Sequence, residues 1–149
     1  MEQAGAKRSS QLDEIAEALP QRSSALSRLF LTRSTVCVSR TEVGVLRTLN
    51  DGSRRITELA TEERVTQPAI TLLVNRLEER GWVRRVPDPS DGRAVLVSLT
   101  PVGEETLEQL RAEYRALLHE EMAMLDDDEV ETLAAAVEIL DKLIARLSQ

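Results

Sequence analysis

The chain has 149 residues, a length suited to one domain that buries a core without disulfide or metal staples. Hydrophobic residues at 42% and charged residues at 30% exclude a disordered chain, and aromatic residues at only 2% leave an aliphatic core that favours packed helices. The net charge of −7 is uneven: residues 97–149 hold 13 acidic and 4 basic side chains, while residues 1–96 hold 13 acidic and 15 basic, so global acidity excludes no polyanionic partner of the first two thirds.

The opening MEQAGAKRSS lacks the apolar stretch of a secretory signal, and the single Cys37 cannot form an internal disulfide, so a cytoplasmic location is expected. No window approaches the roughly 18 uncharged apolar residues of a membrane span. Leu12, Ile15, Leu19, Leu26, Leu29 and Phe30 recur at helical spacing and predict a first helix over 11–33, kinked or restarted at Pro20. Ser39 and Glu42 have capping-box spacing; Val43, Leu46 and Leu49 then line one face of a short second helix that stops at Asn50-Asp51-Gly52. A third helix is predicted over 57–63 and a fourth over 66–80, with Gly81 as its C-terminal cap.

After Gly81 the period changes. Residues 82–86 and 94–99 are β-type runs around the turn-rich Pro87-Asp88-Pro89-Ser90-Asp91-Gly92, which predicts a hairpin. From Pro101 a helical period returns through Leu107, Leu110, Tyr114, Leu117, Leu118 and Leu125, ending near Asp126. Val130, Leu133, Val137, Leu140, Ile144 and Leu147 then step by threes and fours, the narrow seam of helices that pack as coiled coils. The fold class expected is mostly α (α+β): a helix-turn-helix with a β-hairpin wing over 39–99, flanked by helices over 11–33 and 101–147 that form a dimerisation region. Leu12, Ile15, Leu19, Val130, Leu133, Val137, Leu140 and Ile144 are its expected interface.

On the fourth helix, Ile70, Leu73, Val74 and Leu77 cluster on one side of the wheel and are expected in the core. Pro68, Thr71, Leu72, Asn75 and Arg76 point the other way, with Thr66 and Gln67 at the helix start. Such a ridge can read duplex DNA: Leu72 against a thymine methyl, and Thr71, Asn75 or Arg76 against base-edge donors and acceptors. The alternative for Leu72 is a lone exposed apolar residue, which is common. The hairpin carries Arg84, Arg85 and Arg93. Arg93 can enter a minor groove with Asp91 orienting its guanidinium, or the two can form a solvated surface pair of little worth.

The segment VTQPAITLLVNRLEERGWVRRVPDPSDGRAVLVSLTPVGEE, residues 65–105, closely resembles the recognition helix, wing and following helix start of the MarR (multiple antibiotic resistance regulator) family. The resemblance implies a homodimer whose first and last two helices intertwine, with recognition helices in successive major grooves and wing arginines in the flanking minor grooves. It assigns the family's wing arginine to Arg93 and its wing aspartate to Asp91; Gly92 stands where the family often has a second basic residue. A transcription regulator, most simply a repressor, on a palindromic duplex operator is the implied function. No nucleophile, base and orienting group recur in a catalytic arrangement, so no catalysis is expected, nor a cofactor or metal.

The family's usual inducers are small aromatic acids or phenols. Leu26, Phe30, Val43, Leu46, Arg47 and Trp82 are candidates to line such a pocket and are equally readable as core. Cys37 lies between the first two helices, while the family's redox branch carries its cysteine in the first helix with tyrosine partners, so an indifferent thiol is expected. His119 has no second ligand at metal-binding spacing. Two rival readings remain open: an acidic helical dimer that docks a protein partner, and an oxidant sensor acting through Cys37.

Overall fold

A computed structural model describes residues 2–148, with side chains from residue 5 onward. The element order is α1 (Glu2–Arg33), α2 (Arg40–Asn50), β1 (Arg54–Arg55), α3 (Ile56–Glu62), α4 (Gln67–Glu79), β2 (Val83–Asp88), β3 (Asp91–Leu99), α5 (Pro101–Met122) and α6 (Asp127–Leu147). The expected class holds: among the described residues there are six helices and one small antiparallel sheet in the order β1-β3-β2. The chain divides into two compact units, Met1–Leu110 and Arg111–Gln149.

In the first unit, periodicity converts directly into a core. Leu46, Leu59, Ile70, Val74, Leu77, Val83, Val97 and Leu107 are almost wholly buried, and Ile56, Val65 and Trp82 pack against them from the edge. Each of these elements is too short to be stable alone, so burial of its apolar face is what holds it. The α2 capping box forms as expected: Ser39 Oγ accepts from the Glu42 amide at 3.2 Å and Glu42 Oε2 accepts from the Ser39 amide at 2.7 Å. Gly81 ends α4 with φ +73°, a backbone setting that side-chain-bearing residues resist.

Three expectations change. The first helix begins at Glu2 rather than residue 11 and runs without a restart through Pro20. Its apolar and polar residues continue the helical period on both sides of the proline, and a long helix can absorb one missing amide bond. A strand absent from the sequence reading, β1, pairs Arg54 with Val97 and Arg55 with Leu96 along β3. The opening turns of α5, expected in the dimerisation region, instead bury Gly103, Thr106, Leu107 and Leu110 within the first unit.

The seam from α4 into α5 is fastened at several points. The Thr100 amide donates to the Trp82 carbonyl at 3.0 Å, and the Thr100 hydroxyl donates to the Gly81 carbonyl at 2.5 Å while accepting from the Gly103 amide at 3.1 Å. A Cβ on Gly103 would stand 2.1 Å from the Trp82 carbonyl oxygen, so only glycine allows this approach.

In the second unit, α6 opens with a capping box between Asp126 and Glu129, whose amide donates to Asp126 Oδ1 at 2.8 Å. None of its residues is buried in the single chain, although Val130, Val137, Ile139 and Ile144 are among its large apolar side chains.

Candidate nucleic-acid interface

Burial on α4 divides the helix as its wheel predicts. Ile70, Leu73, Val74 and Leu77 are inside, while Gln67, Pro68, Leu72, Asn75 and Arg76 are exposed and Thr71 is half-buried. Thr66 caps the helix, its hydroxyl accepting from the Ala69 amide at 3.4 Å, and Pro68 occupies the first turn, where a missing amide donor costs nothing. Gln67, Pro68, Thr71 and Leu72 line a shallow depression, with Leu72 61% exposed at its rim. An apolar side chain so open beside polar neighbours is available to a methyl group of a partner. The Thr71 hydroxyl donates to the Gln67 carbonyl at 2.8 Å, which leaves its oxygen lone pairs as its outward offer. Arg76 lies 3.8 Å from Glu42 Oε1, the buried carboxylate of the α2 capping box, which draws the arginine toward the start of α2.

The wing is a hairpin of β2 and β3 with Asp88 opposite Asp91 and a Pro89-Ser90 tip. Its turn is organised by Asp88. Oδ1 of Asp88 accepts from the Ser90 amide at 2.9 Å and the Ser90 hydroxyl at 2.7 Å, and Oδ2 accepts from Arg55 Nε at 3.0 Å and Nη2 at 2.6 Å. The Ser90 hydroxyl first, and then the Arg55 guanidinium and the Ser90 amide, hold the Asp88 carboxyl down at about 2. Of the two readings of Asp91 and Arg93, an oriented guanidinium or a surface ion pair, the single chain shows neither. The Asp91 carboxylate accepts from the Arg93 backbone amide at 3.2 Å, the local bond of an Asx-type turn, and no acidic side chain holds the Arg93 head group among the described residues. Arg84 and Arg93 are both exposed.

Two interactions here escape sequence reasoning. Arg55, from β1, reaches a carboxylate 33 residues away, and Arg85 on β2 donates to Asn75 Oδ1 at 2.6 Å while pairing with Glu78. Only the Asp88-x-Ser90 half of the first has a local signal, an aspartate followed two residues later by a turn serine.

The residues offered either as an effector pocket or as core differ in burial. Leu46 is wholly buried and Val43 nearly so, which seals them as core, whereas Leu26 and Arg47 are exposed and Phe30 and Trp82 half-buried. Arg80 covers Trp82, its guanidinium 4.8 Å from the ring centroid and its Nη1 donating to the Cys37 carbonyl at 2.8 Å. The Cys37 thiol is exposed. Of the expected dimer residues, Leu12, Ile15, Val130, Leu133, Val137 and Ile144 are exposed and Leu19 and Leu140 half-buried. No described helix is long and apolar enough to cross a membrane.

Comparison with known proteins agrees with this architecture. A family model described as the MarR family matches residues 38–95. An uncharacterized HTH-type transcriptional regulator of Mycobacterium bovis is 35% identical over 108 residues, covering 72% of this chain and 76% of that relative. The HTH-type transcriptional repressor IacR of Pseudomonas putida is 32% identical over 97 residues, 64% of this chain and 58% of its own. The crystal structure of a mutant MarR from E. coli superposes with a TM-score of 0.74 at 29% identity, covering 85% of this chain and 95% of that one.

Proposed function

The chain belongs to the MarR family of winged helix-turn-helix transcription regulators, and from that premise we propose that it acts as a homodimeric repressor on a palindromic duplex operator. One observation carries the reading. The exposed ridge of α4, from Gln67 to Arg76, and the exposed Arg84 and Arg93 of the adjoining wing belong to one compact unit, and their chemistry suits base edges and phosphates. Thr66 and Gln67 meet a phosphate at the helix start, Pro68, Thr71, Leu72, Asn75 and Arg76 face the major groove, and Arg93 enters the minor groove beside it, with Asp91 shaping the turn.

Dimerisation is supported by α6, which repeats apolar residues at coiled-coil spacing yet buries none of them in a single chain. Such a stripe is stable in water only when covered, and a second copy supplies a matching one. Two winged units related by a two-fold axis read half-sites about 34 Å apart. Repression follows from occupancy, because a dimer across that length of duplex excludes other proteins from it, and the identity to a named repressor agrees. A small aromatic acid or phenol is the effector class that fits this reading. With Leu46 and Val43 sealed, it would have to bind against Leu26, Phe30, Arg47 or the edge of Trp82.

The test is selection of bound genomic duplexes by the wild-type protein and by Arg93→Ala. Recovery of palindromic sites by wild type, with affinity for them reduced at least tenfold in R93A, supports the reading. Absence of duplex binding by the wild type would refute it in favour of a protein-docking dimer.

A further inference from the structure

Arg85 lies on β2, outside the residues assigned to face DNA, yet its head group reaches the exposed ridge of α4. Its Nη2 donates to Asn75 Oδ1 at 2.6 Å, its Nη1 pairs with Glu78 Oε2, and its backbone amide donates to Glu78 Oε1 at 3.3 Å. Glu78 therefore holds both the backbone and the guanidinium of Arg85, and the guanidinium in turn holds Asn75. A guanidinium has donors and no acceptor, so the amide atom that it meets is necessarily the oxygen. The carboxamide of Asn75 is polarised by chemistry: oxygen toward the wing strand, nitrogen away from it.

We propose that Arg85 is a specificity-positioning residue that presents Asn75 to the major groove as a hydrogen-bond donor. The proposal rests on α4 being the recognition helix and deepens that reading. An unrestrained asparagine reads adenine by accepting from N6 and donating to N7 at once. Here the oxygen already accepts a charge-assisted bond, the stronger kind, and turning it into the groove would leave the guanidinium with only its carboxylate partner. The remaining Nδ2 carries two hydrogens. It matches the edge with two adjacent acceptors, guanine N7 and O6, and meets the N6 amino group of adenine donor to donor. A residue that never touches DNA thereby converts the standard adenine reader into a guanine reader.

The test uses the full chain and a randomised duplex library, with thermal melting of each protein alongside. Asn75→Ala locates the base pair, losing preference at one position per half-site. Wild type is expected to prefer guanine over adenine there by about tenfold. Arg85→Met is expected to lose that ratio or reverse it toward adenine, with the other positions unchanged. Glu78→Gln, which keeps the Arg85–Asn75 bond, is expected to retain it. Adenine preferred by the wild type at that position overturns the proposal, and this readout needs no variant at Arg85. So does an unchanged ratio in R85M, a uniform loss of affinity across all sequences, or a shift in E78Q equal to that in R85M, each of which assigns Arg85 to holding the strand alone. Failure of the wild type to bind any duplex removes the recognition-helix reading itself, whereas binding with an unchanged R85M ratio removes only this proposal.

Discussion

Arg55 and Asp88, 33 residues apart in the chain, meet through two guanidinium nitrogens on one carboxylate oxygen, at 3.0 and 2.6 Å. The other oxygen of Asp88 closes the Ser90 turn, so a two-residue strand that carries no core side chain anchors the tip of the wing. Asp88→Asn loosens that tip without opening the core. DNA affinity is expected to fall roughly two- to tenfold, the cost of ordering a few side chains on binding, and less than Arg93→Ala costs. The melting difference between wild type and D88N should itself depend on pH. The folded carboxyl sits at about 2 against an ordinary 3.8, so its contribution is full above the unfolded value and fades as pH falls from there through the folded one. Melting curves collected from pH 5 down to about 2 should show the two proteins converging; a constant gap would mean that the carboxylate charge contributes nothing.

Two glycines are expected to respond in opposite senses to alanine. At Gly44, inside α2, the atoms nearest the new Cβ all belong to the Glu63 carboxylate, the far end of a flexible side chain. That carboxyl is raised above its usual value by burial and by neighbouring Glu62, so release to water favours its charged form. Gly44→Ala should therefore stabilise by about 0.5–1 kcal/mol through helix propensity. At Gly103 the obstacle is the Trp82 backbone carbonyl at 2.1 Å, which cannot move without disturbing the α4–α5 seam. Gly103→Ala should destabilise by roughly 1–3 kcal/mol, the cost of overpacking. Denaturant midpoints for the two variants give both signs in one experiment.

Arg84 is exposed on β2, opposite Ser98 on β3, and under the proposed function its expected contact is a backbone phosphate. Arg84→Ala should weaken binding to all sequences alike. In a dimer it should reduce the slope of log affinity against log salt by about 2, one counterion per protomer. A sequence-dependent loss would place Arg84 at a base instead.

Val137 is 51% exposed at the middle of the α6 stripe. A charge there cannot be buried against a second apolar stripe, so Val137→Asp should sediment as a monomer at micromolar concentration and lose most of its operator affinity, because two linked half-sites become one. A dimeric V137D would move the interface elsewhere.

The parts of this molecule that follow a period were legible before any coordinates. Ile70, Leu73, Val74 and Leu77 define one helix face by spacing alone, and the Ser39–Glu42 box places the start of α2 to the residue. The shift from a helical to a strand period at Trp82 locates the hairpin. What was hidden has no period. Arg54 and Arg55 form a strand only because β3 offers them a partner, and nothing in a pair of arginines signals extended structure. Arg85 and Asn75 are joined across two elements, and both were legible only as separate polar residues. The turn-rich run around Asp91 marks it as a turn residue, but whether it holds the amide or the guanidinium of Arg93 depends on where the chain bends. Pro20 does not restart the helix, because a breaker's strength depends on the helix around it.

The triple fastening of Thr100 to Gly81, Trp82 and Gly103 makes the end of α4 and the beginning of α5 a single joint, with the wing looped out between its two halves. The base of the hairpin is built into the core through Val83, Val97 and Leu99, and Arg85 ties β2 to α4, so only the tip around Pro89-Ser90 stands apart from that joint. That tip can be lengthened, shortened or rewritten in sequence without touching the joint, whereas the first turn of α5 is bonded directly to the residues that end α4. The outermost turn of the wing can therefore drift in sequence, while the strands beneath it and the joint at Thr100 are held to the rest of the unit.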